Sequence, residues 1–272
     1  MKILACQLSI PSVTSKVEKT EHLRKTAQKV SAQLKTSATH PDLVVLPELS
    51  SIDYSRESFG NLAELAEELD GESFSIFSKL AANFGVYIAY GMPRVEADTY
   101  YISQVVVNDK GELVGYYDKL HIAQFGASME KEYFERGKKL LVFEVGGIKV
   151  SPIICYDLRF PELYRELCVT QGVDLIIHPV AFYRDESFPS WHHFSITRAM
   201  ENQVYVLSLN RAGENYGSSI FCPPWIDEEI QPTVFPRAES FQEFEISLQT
   251  LMQAQDIFPF RADALENYGG LD

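Results

Sequence analysis

Three reactive side chains stand at the ends of three apolar runs. Leu43-Val-Val-Leu-Pro-Glu48 closes on a carboxylate, Val114-Gly-Tyr-Tyr-Asp-Lys119 on an ammonium, and Val150-Ser-Pro-Ile-Ile-Cys155 on a thiol. Each alone has an ordinary explanation as a turn glutamate, a solvated lysine or a small core residue. Together they supply what acyl transfer needs. A thiol attacks as its thiolate, so it requires a base or a cation nearby. A carboxylate held in a dry pocket has a raised pKa and can take that proton near neutral pH. A lysine beside it balances the charge and can steady the oxyanion of a tetrahedral intermediate.

Such groups need rigid elements to position them, and strand ends in α/β folds provide that rigidity. The patterning predicts them. Ile3–Ile10 reads as a strand, and Thr14–Leu34 as a helix with Val17, Leu23, Ala27, Val30 and Leu34 on one face. Leu43–Leu46 has the unbroken apolar character of a strand buried on both faces. Helices are expected over Leu62–Leu69 and Ser73–Phe84, the second stopped by Gly85, with a strand over Val86–Tyr90. Tyr100–Val107 and Glu112–Tyr117 flank a glycine turn and read as a hairpin, as do Leu140–Val145 and Ile148–Ile154 around Gly146-Gly147. Pro161–Gln171 and Ser190–Asn202 read as helices, and Val173–His178 and Val204–Leu209 as strands. After the Pro223-Pro224 break, Glu243–Ile246 and Ser247–Ala254 read as a strand and a helix. Hairpins interleaved with βα units exclude a purely parallel sheet. The expected fold is one α/β domain over residues 1–272, a four-layer α-β-β-α sandwich of two mixed sheets flanked by helices.

The bulk properties narrow the partners. The chain has 272 residues and a formal charge of −14, which argues against nucleic acid or an anionic membrane as a partner. Its four cysteines form no CxxC pair and no metal-ligand spacing, so they read as reduced thiols, with no metal and no organic cofactor expected. No apolar stretch reaches bilayer length, and the first ten residues lack a secretory pattern. A cytoplasmic location is the expectation.

The three segments resemble the nitrilase superfamily of carbon–nitrogen hydrolases. The likeness rests on Leu46-Pro-Glu-Leu49, Tyr117-Asp-Lys-Leu-His121 and Cys155-Tyr-Asp-Leu-Arg-Phe-Pro-Glu-Leu163, with lesser matches at Ala5-Cys-Gln-Leu8, Arg198-Ala-Met-Glu-Asn202 and Glu243-Phe-Glu-Ile246. The spacing, 71 residues from Glu48 to Lys119 and 36 from Lys119 to Cys155, suits the family. The resemblance implies a catalytic triad of Glu48, Lys119 and Cys155, with a backbone N–H near Tyr156 beside the oxyanion. It also implies a second glutamate that holds the lysine. In Met129-Glu-Lys-Glu-Tyr-Phe-Glu-Arg-Gly137 that residue is Glu130, with Glu132 as the nearby competitor.

The run Cys155-Tyr-Asp-Leu-Arg-Phe-Pro resembles amidase members related to Nit proteins and ω-amidases, whereas nitrile-cleaving members resemble Cys-Trp-Glu here. The implied reaction is hydrolysis of a small linear amide. N-carbamoyl amine hydrolysis is the nearest alternative, and a Cys-His-Asp hydrolase or a non-catalytic binding relative are the more distant ones. Phe125, Tyr156, Phe182 and Tyr183 are candidate pocket walls. Arg159 is expected to pair with Asp157 or Glu162 rather than to meet a substrate carboxylate. His192-His193 reads as surface or interface, and the helices starting at Phe160 and carrying Trp191 are expected to pack against a second copy in a homodimer.

Overall fold

The computed structural model describes residues 1–265. Strands β1 (Lys2–Gln7), β2 (Leu43–Val45), β3 (Tyr87–Glu96), β4 (Thr99–Val107) and β5 (Leu113–Asp118) form most of one sheet. Strands β6 (Phe143–Val145), β7 (Ile148–Pro152), β8 (Leu175–Val180), β9 (Tyr205–Asn210), β10 (Ile220–Cys222) and β11 (Thr233–Val234) form the second. A last strand, β12 (Ser240–Glu245), returns to pair antiparallel with β1 at the edge of the first sheet. Each sheet has a parallel core of three strands: β1, β2 and β3 in one, and β7, β8 and β9 in the other. Antiparallel strands extend both cores, so both sheets are mixed.

Alternation along each strand produces the layers. In β2 and the residue after it, Leu43 and Val45 point one way and Val44 and Leu46 the other, and all four are fully buried. The first pair joins Ile3, Ala5 and Ala89 against Val150, Leu175, Ile177 and Leu207, which packs the sheets face to face. The second pair faces outward onto α1 (Lys16–Thr36) through Leu23, Val30 and Leu34. Beyond α2 (Arg56–Gly60) and α3 (Leu62–Leu65), α4 (Glu72–Phe84) packs Phe77, Leu80 and Ala81 on the same layer. On the far side α5 (Pro161–Arg165) and α6 (Phe188–Asn202) cover the second sheet with Tyr164, Trp191 and Ala199. The result is the expected α-β-β-α sandwich of two mixed sheets.

Several boundaries differ for physical reasons. Helix α1 begins at Lys16 because Ser15 caps it, with a reciprocal bond from Glu18. Val17, expected on the buried face, lies in the first turn and is 77 % exposed. The expected helix over Leu62–Leu69 stops at Leu65, because Glu67 instead bridges to Arg94 at the end of β3 and pairs with buried Lys19 at 2.6 Å. Helix α4 ends as expected at Gly85, which has a φ of 64°. The Pro161–Gln171 helix widens after Arg165 into a π turn. Helix α7 (Leu248–Ile257) is capped by Ser247, and a short helix α8 (Phe260–Asp263) follows it. Among the described residues, no helix is long and apolar enough to cross a membrane.

Candidate active site

The chain leaves β2 through Pro47 and turns tightly against β3. A Cβ at Gly91 would lie 2.5 Å from both Leu49 N and Pro47 O, so only glycine lets the two segments meet. Leu49 itself takes a φ of 47°. The turn buries Glu48 completely, and Arg211 holds its backbone by donating to the carbonyls of Glu48, Leu49 and Ile52 at 3.3, 3.3 and 3.2 Å. The two Glu48 oxygens have separate partners. Oε1 accepts from Lys119 Nζ at 2.9 Å, and Oε2 accepts from the Ala181 N–H at 2.7 Å.

Lys119 follows β5 directly, and its N–H donates to Ile102 O at 2.9 Å. Fully buried, its ammonium bridges two carboxylates, Glu48 and Glu130, the latter at 2.6 Å. Glu130 also accepts from Tyr54 Oη at 2.8 Å and from the Ala123 N–H at 2.8 Å. Glu132 faces the opposite way, where Arg56 binds it at 2.5 and 2.9 Å on the surface. The second glutamate that the structure sets against Lys119 is therefore Glu130.

Cys155 ends the segment after β7 with a φ of 44°, in the left-handed region that non-glycine residues seldom occupy. Two flanking groups hold that conformation. Asp157 accepts from the Ile154 N–H at 3.0 Å, and it also takes Tyr117 Oη at 2.7 Å and His121 N and Nδ1 at 3.0 and 2.7 Å. His178, at the middle of β8, meets the Cys155 carbonyl through Nε2 at 2.9 Å. A carbonyl only accepts, so Nε2 carries the proton. Nδ1 then accepts from Ser208 Oγ at 2.8 Å, which in turn accepts from Trp191 Nε1 at 2.8 Å. This histidine reaches Cys155 through its main chain and not through sulfur.

Burial pushes the His178 imidazole down to about 4, so it is neutral at physiological pH. A histidine whose folded pKa lies below its free value of 6.5 binds its proton more readily when unfolded. Its contribution is therefore complete above about pH 6.5 and is lost as pH falls towards 4, a change of ~3 kcal/mol. Denaturant unfolding at pH 7 and pH 4.5 should show that loss in the wild type and a smaller one in His178→Gln. Equal losses in both proteins would refute the assignment.

The electrostatics of the three groups fit one another. Burial raises Glu48, with the Glu130 charge adding to the rise and Lys119 opposing it. Burial alone would lower Lys119, but Glu130 and Glu48 outweigh it and hold the ammonium well above its usual range. Burial, with the Glu48 charge, keeps the Cys155 thiol well above its own. At rest the sulfur carries its proton, within the field of the Glu48 charge. The other three cysteines are buried core residues.

Cys155 and Glu130 open onto a cleft. All four sequence-derived wall candidates line it: Phe125, Tyr156, Phe182 and Tyr183. Tyr54, Arg159 and Asp185 line it too. Arg159 corrects an expectation. Asp157 turns inward to Tyr117, His121 and Ile154, and among the described residues no carboxylate lies within ion-pair distance of Arg159. The guanidinium donates to Ser190 Oγ at 3.1 Å and sits over the rings of Phe194 and Phe182 at 4.3 and 5.9 Å. His192 also differs from the surface reading, since it is half-buried and bonded to Ser218 O at 2.7 Å, whereas His193 is exposed. Tyr54, Asp157, His178 and Arg211 were not singled out as site residues from the sequence. The last two sit in or just after apolar strand runs, which is the one feature that marks them.

Residues 2–232 match the carbon–nitrogen hydrolase family. A nitrilase of Pyrococcus abyssi is 36 % identical over 204 residues, which cover 73 % of this chain and 70 % of that protein. The 2-oxoglutaramate amidase of Bacillus subtilis is 31 % identical over 232 residues, covering 83 % and 86 %. Among solved structures, Saccharomyces cerevisiae Nit3, a member of branch 10 of the nitrilase superfamily, superposes with a TM-score of 0.82 at 25 % identity, covering 95 % of this chain and 94 % of that one. By its sequence, its two-sheet architecture and these matches, the chain belongs to the carbon–nitrogen hydrolase family.

Proposed function

We propose that the protein is an ω-amidase-like enzyme that hydrolyses a small linear amide bearing a terminal carboxylate, by way of a thioester on Cys155. The observation that carries the carboxylate is Arg159, a guanidinium in the cleft with no carboxylate within ion-pair distance among the described residues. The similarity to a 2-oxoglutaramate amidase points the same way.

Glu48 takes the Cys155 proton, and the thiolate attacks the amide carbonyl. Two of the three N–H bonds of Lys119 are committed to Glu48 and Glu130, and the third is left for the oxyanion, beside the N–H of Tyr156. As the intermediate collapses, the C–N bond breaks and ammonia leaves with the proton held by Glu48. Water then enters, Glu48 takes one of its protons, and the hydroxide oxygen attacks the thioester. The C–S bond breaks, a carboxylic acid departs, and the proton returns to sulfur. Glu130, Tyr54 and the Ala123 N–H keep Lys119 in place throughout.

An ammonia-release screen over ω-amides, N-carbamoyl amines and nitriles tests the reading, with Cys155→Ala as control. Turnover is expected for ω-amides with a terminal carboxylate. Replacing Arg159 with Met should lower kcat/KM for these about 10- to 100-fold while sparing uncharged aliphatic amides, the loss expected of a charged hydrogen bond. Preferential release from N-carbamoyl amines or nitriles would overturn it. Cytoplasmic location and a homodimer built on α5 and α6 complete the proposal, and a mass of twice 30.8 kDa in solution tests the latter.

A further inference from the structure

Asp185 lines the same cleft as Arg159 and Cys155, and nothing in the reaction just described uses it. It is half-buried, and among the described residues its carboxylate bonds only Ser187, through Oδ1, which accepts from N and Oγ at 2.8 and 2.6 Å. The other oxygen is closely set against the loop across the cleft. A Cβ at Gly126 would stand 2.6 Å from Oδ2, and Gly126 has a φ of 57°, so the loop passes Oδ2 with no side chain between. Phe125, Ala127 and Ser128 of that loop line the cleft on either side of the approach. Oδ2 is thus held at the cleft with its accepting capacity unspent.

A free carboxylate is a poor neighbour for the carboxylate end of a substrate. It weakens the attraction that Arg159 offers to a simple anion, and the chain as a whole already carries a charge of −14. The pair makes chemical sense for a substrate end that carries both charges. From Arg159 and Asp185 together we infer that the cleft recognises a zwitterionic α-amino carboxylate, so that the amide cleaved is the side-chain carboxamide of a free α-amino acid. Arg159 takes the carboxylate and Asp185 Oδ2 takes the ammonium. This rests on the ω-amide reading above and narrows it by one functional group.

Glutamine and glutaric acid monoamide differ only in the α-amino group, and they form the test. The wild-type protein is expected to prefer glutamine in kcat/KM by at least 10-fold. In Asp185→Asn the Oδ1 contacts to Ser187 can be kept while the charge is lost. That variant should lower kcat/KM for glutamine about 10- to 100-fold and raise it for the monoamide, collapsing the preference. Rising monoamide turnover also shows that the variant is folded. A wild-type preference for the monoamide, or an equal change on both substrates, overturns the inference while leaving the ω-amide reading intact. Absence of ammonia release from both overturns the two together.

Discussion

Glu48→Gln is expected to cut kcat/KM by at least 10³-fold, the largest single effect available without touching the sulfur. The charge removed contacts both Lys119 Nζ and the Ala181 N–H. Without it no carboxylate is poised to ionise a thiol that burial holds well above its ordinary pKa. An amide cannot satisfy both neighbours either. One end of Gln is a donor, and it must face either the Lys119 ammonium or the Ala181 N–H, which are donors themselves. Rates of thiol alkylation and of ammonia release measured against pH separate the base from mere structural damage. In the wild type both should fall as pH drops through a value above the usual carboxylate range, because Glu48 must be ionised to act and burial raises its pKa. In the variant that limb should vanish. A variant that retained a tenth of the wild-type rate would exclude Glu48 as the base.

Lys119→Met should be almost as severe for activity and far more so for stability. Removing the ammonium leaves Glu48 and Glu130 buried, close together and without their shared cation. Breaking a buried pair in this way costs about 3–5 kcal/mol, which for a chain of this size lowers Tm by about 10 °C. The double substitution Lys119→Met with Glu130→Gln removes one of the stranded charges. It should recover a large part of the lost Tm while turnover stays near background. Thermal melts alongside ammonia release decide the matter. Recovery of activity in the double variant would show that Lys119 is needed only to neutralise Glu130.

The positions of the reactive groups were legible because each closes an apolar run, and apolar runs form the sheets. Leu43–Leu46 had the pattern of a strand with both faces covered; in the structure one face meets the second sheet and the other the helices. What the sequence did not show are contacts made between segments with no periodicity of their own. Tyr54 reaches Glu130 from a loop 76 residues away. Asp157 and Arg159 are two positions apart, which suggested a local ion pair. The tight turn after Cys155 instead draws the aspartate inward to Tyr117, His121 and Ile154 and leaves the arginine in the cleft. Val17 fits a helical stripe on paper, yet the stripe lies over no partner in the first turn.

Glu48 and Lys119 ride on the first sheet, while Cys155 and Ala181 belong to the second. The 2.7 Å bond from the Ala181 N–H to Glu48 is thus a ruler laid across the gap between them. One sheet sliding past the other by a single residue step, about 3.3 Å, would leave every strand hydrogen bond intact and still separate base from sulfur. Turnover therefore gauges the alignment of the two halves more finely than any measure of strand content. A chain that has slipped can look folded by circular dichroism and be silent as an enzyme.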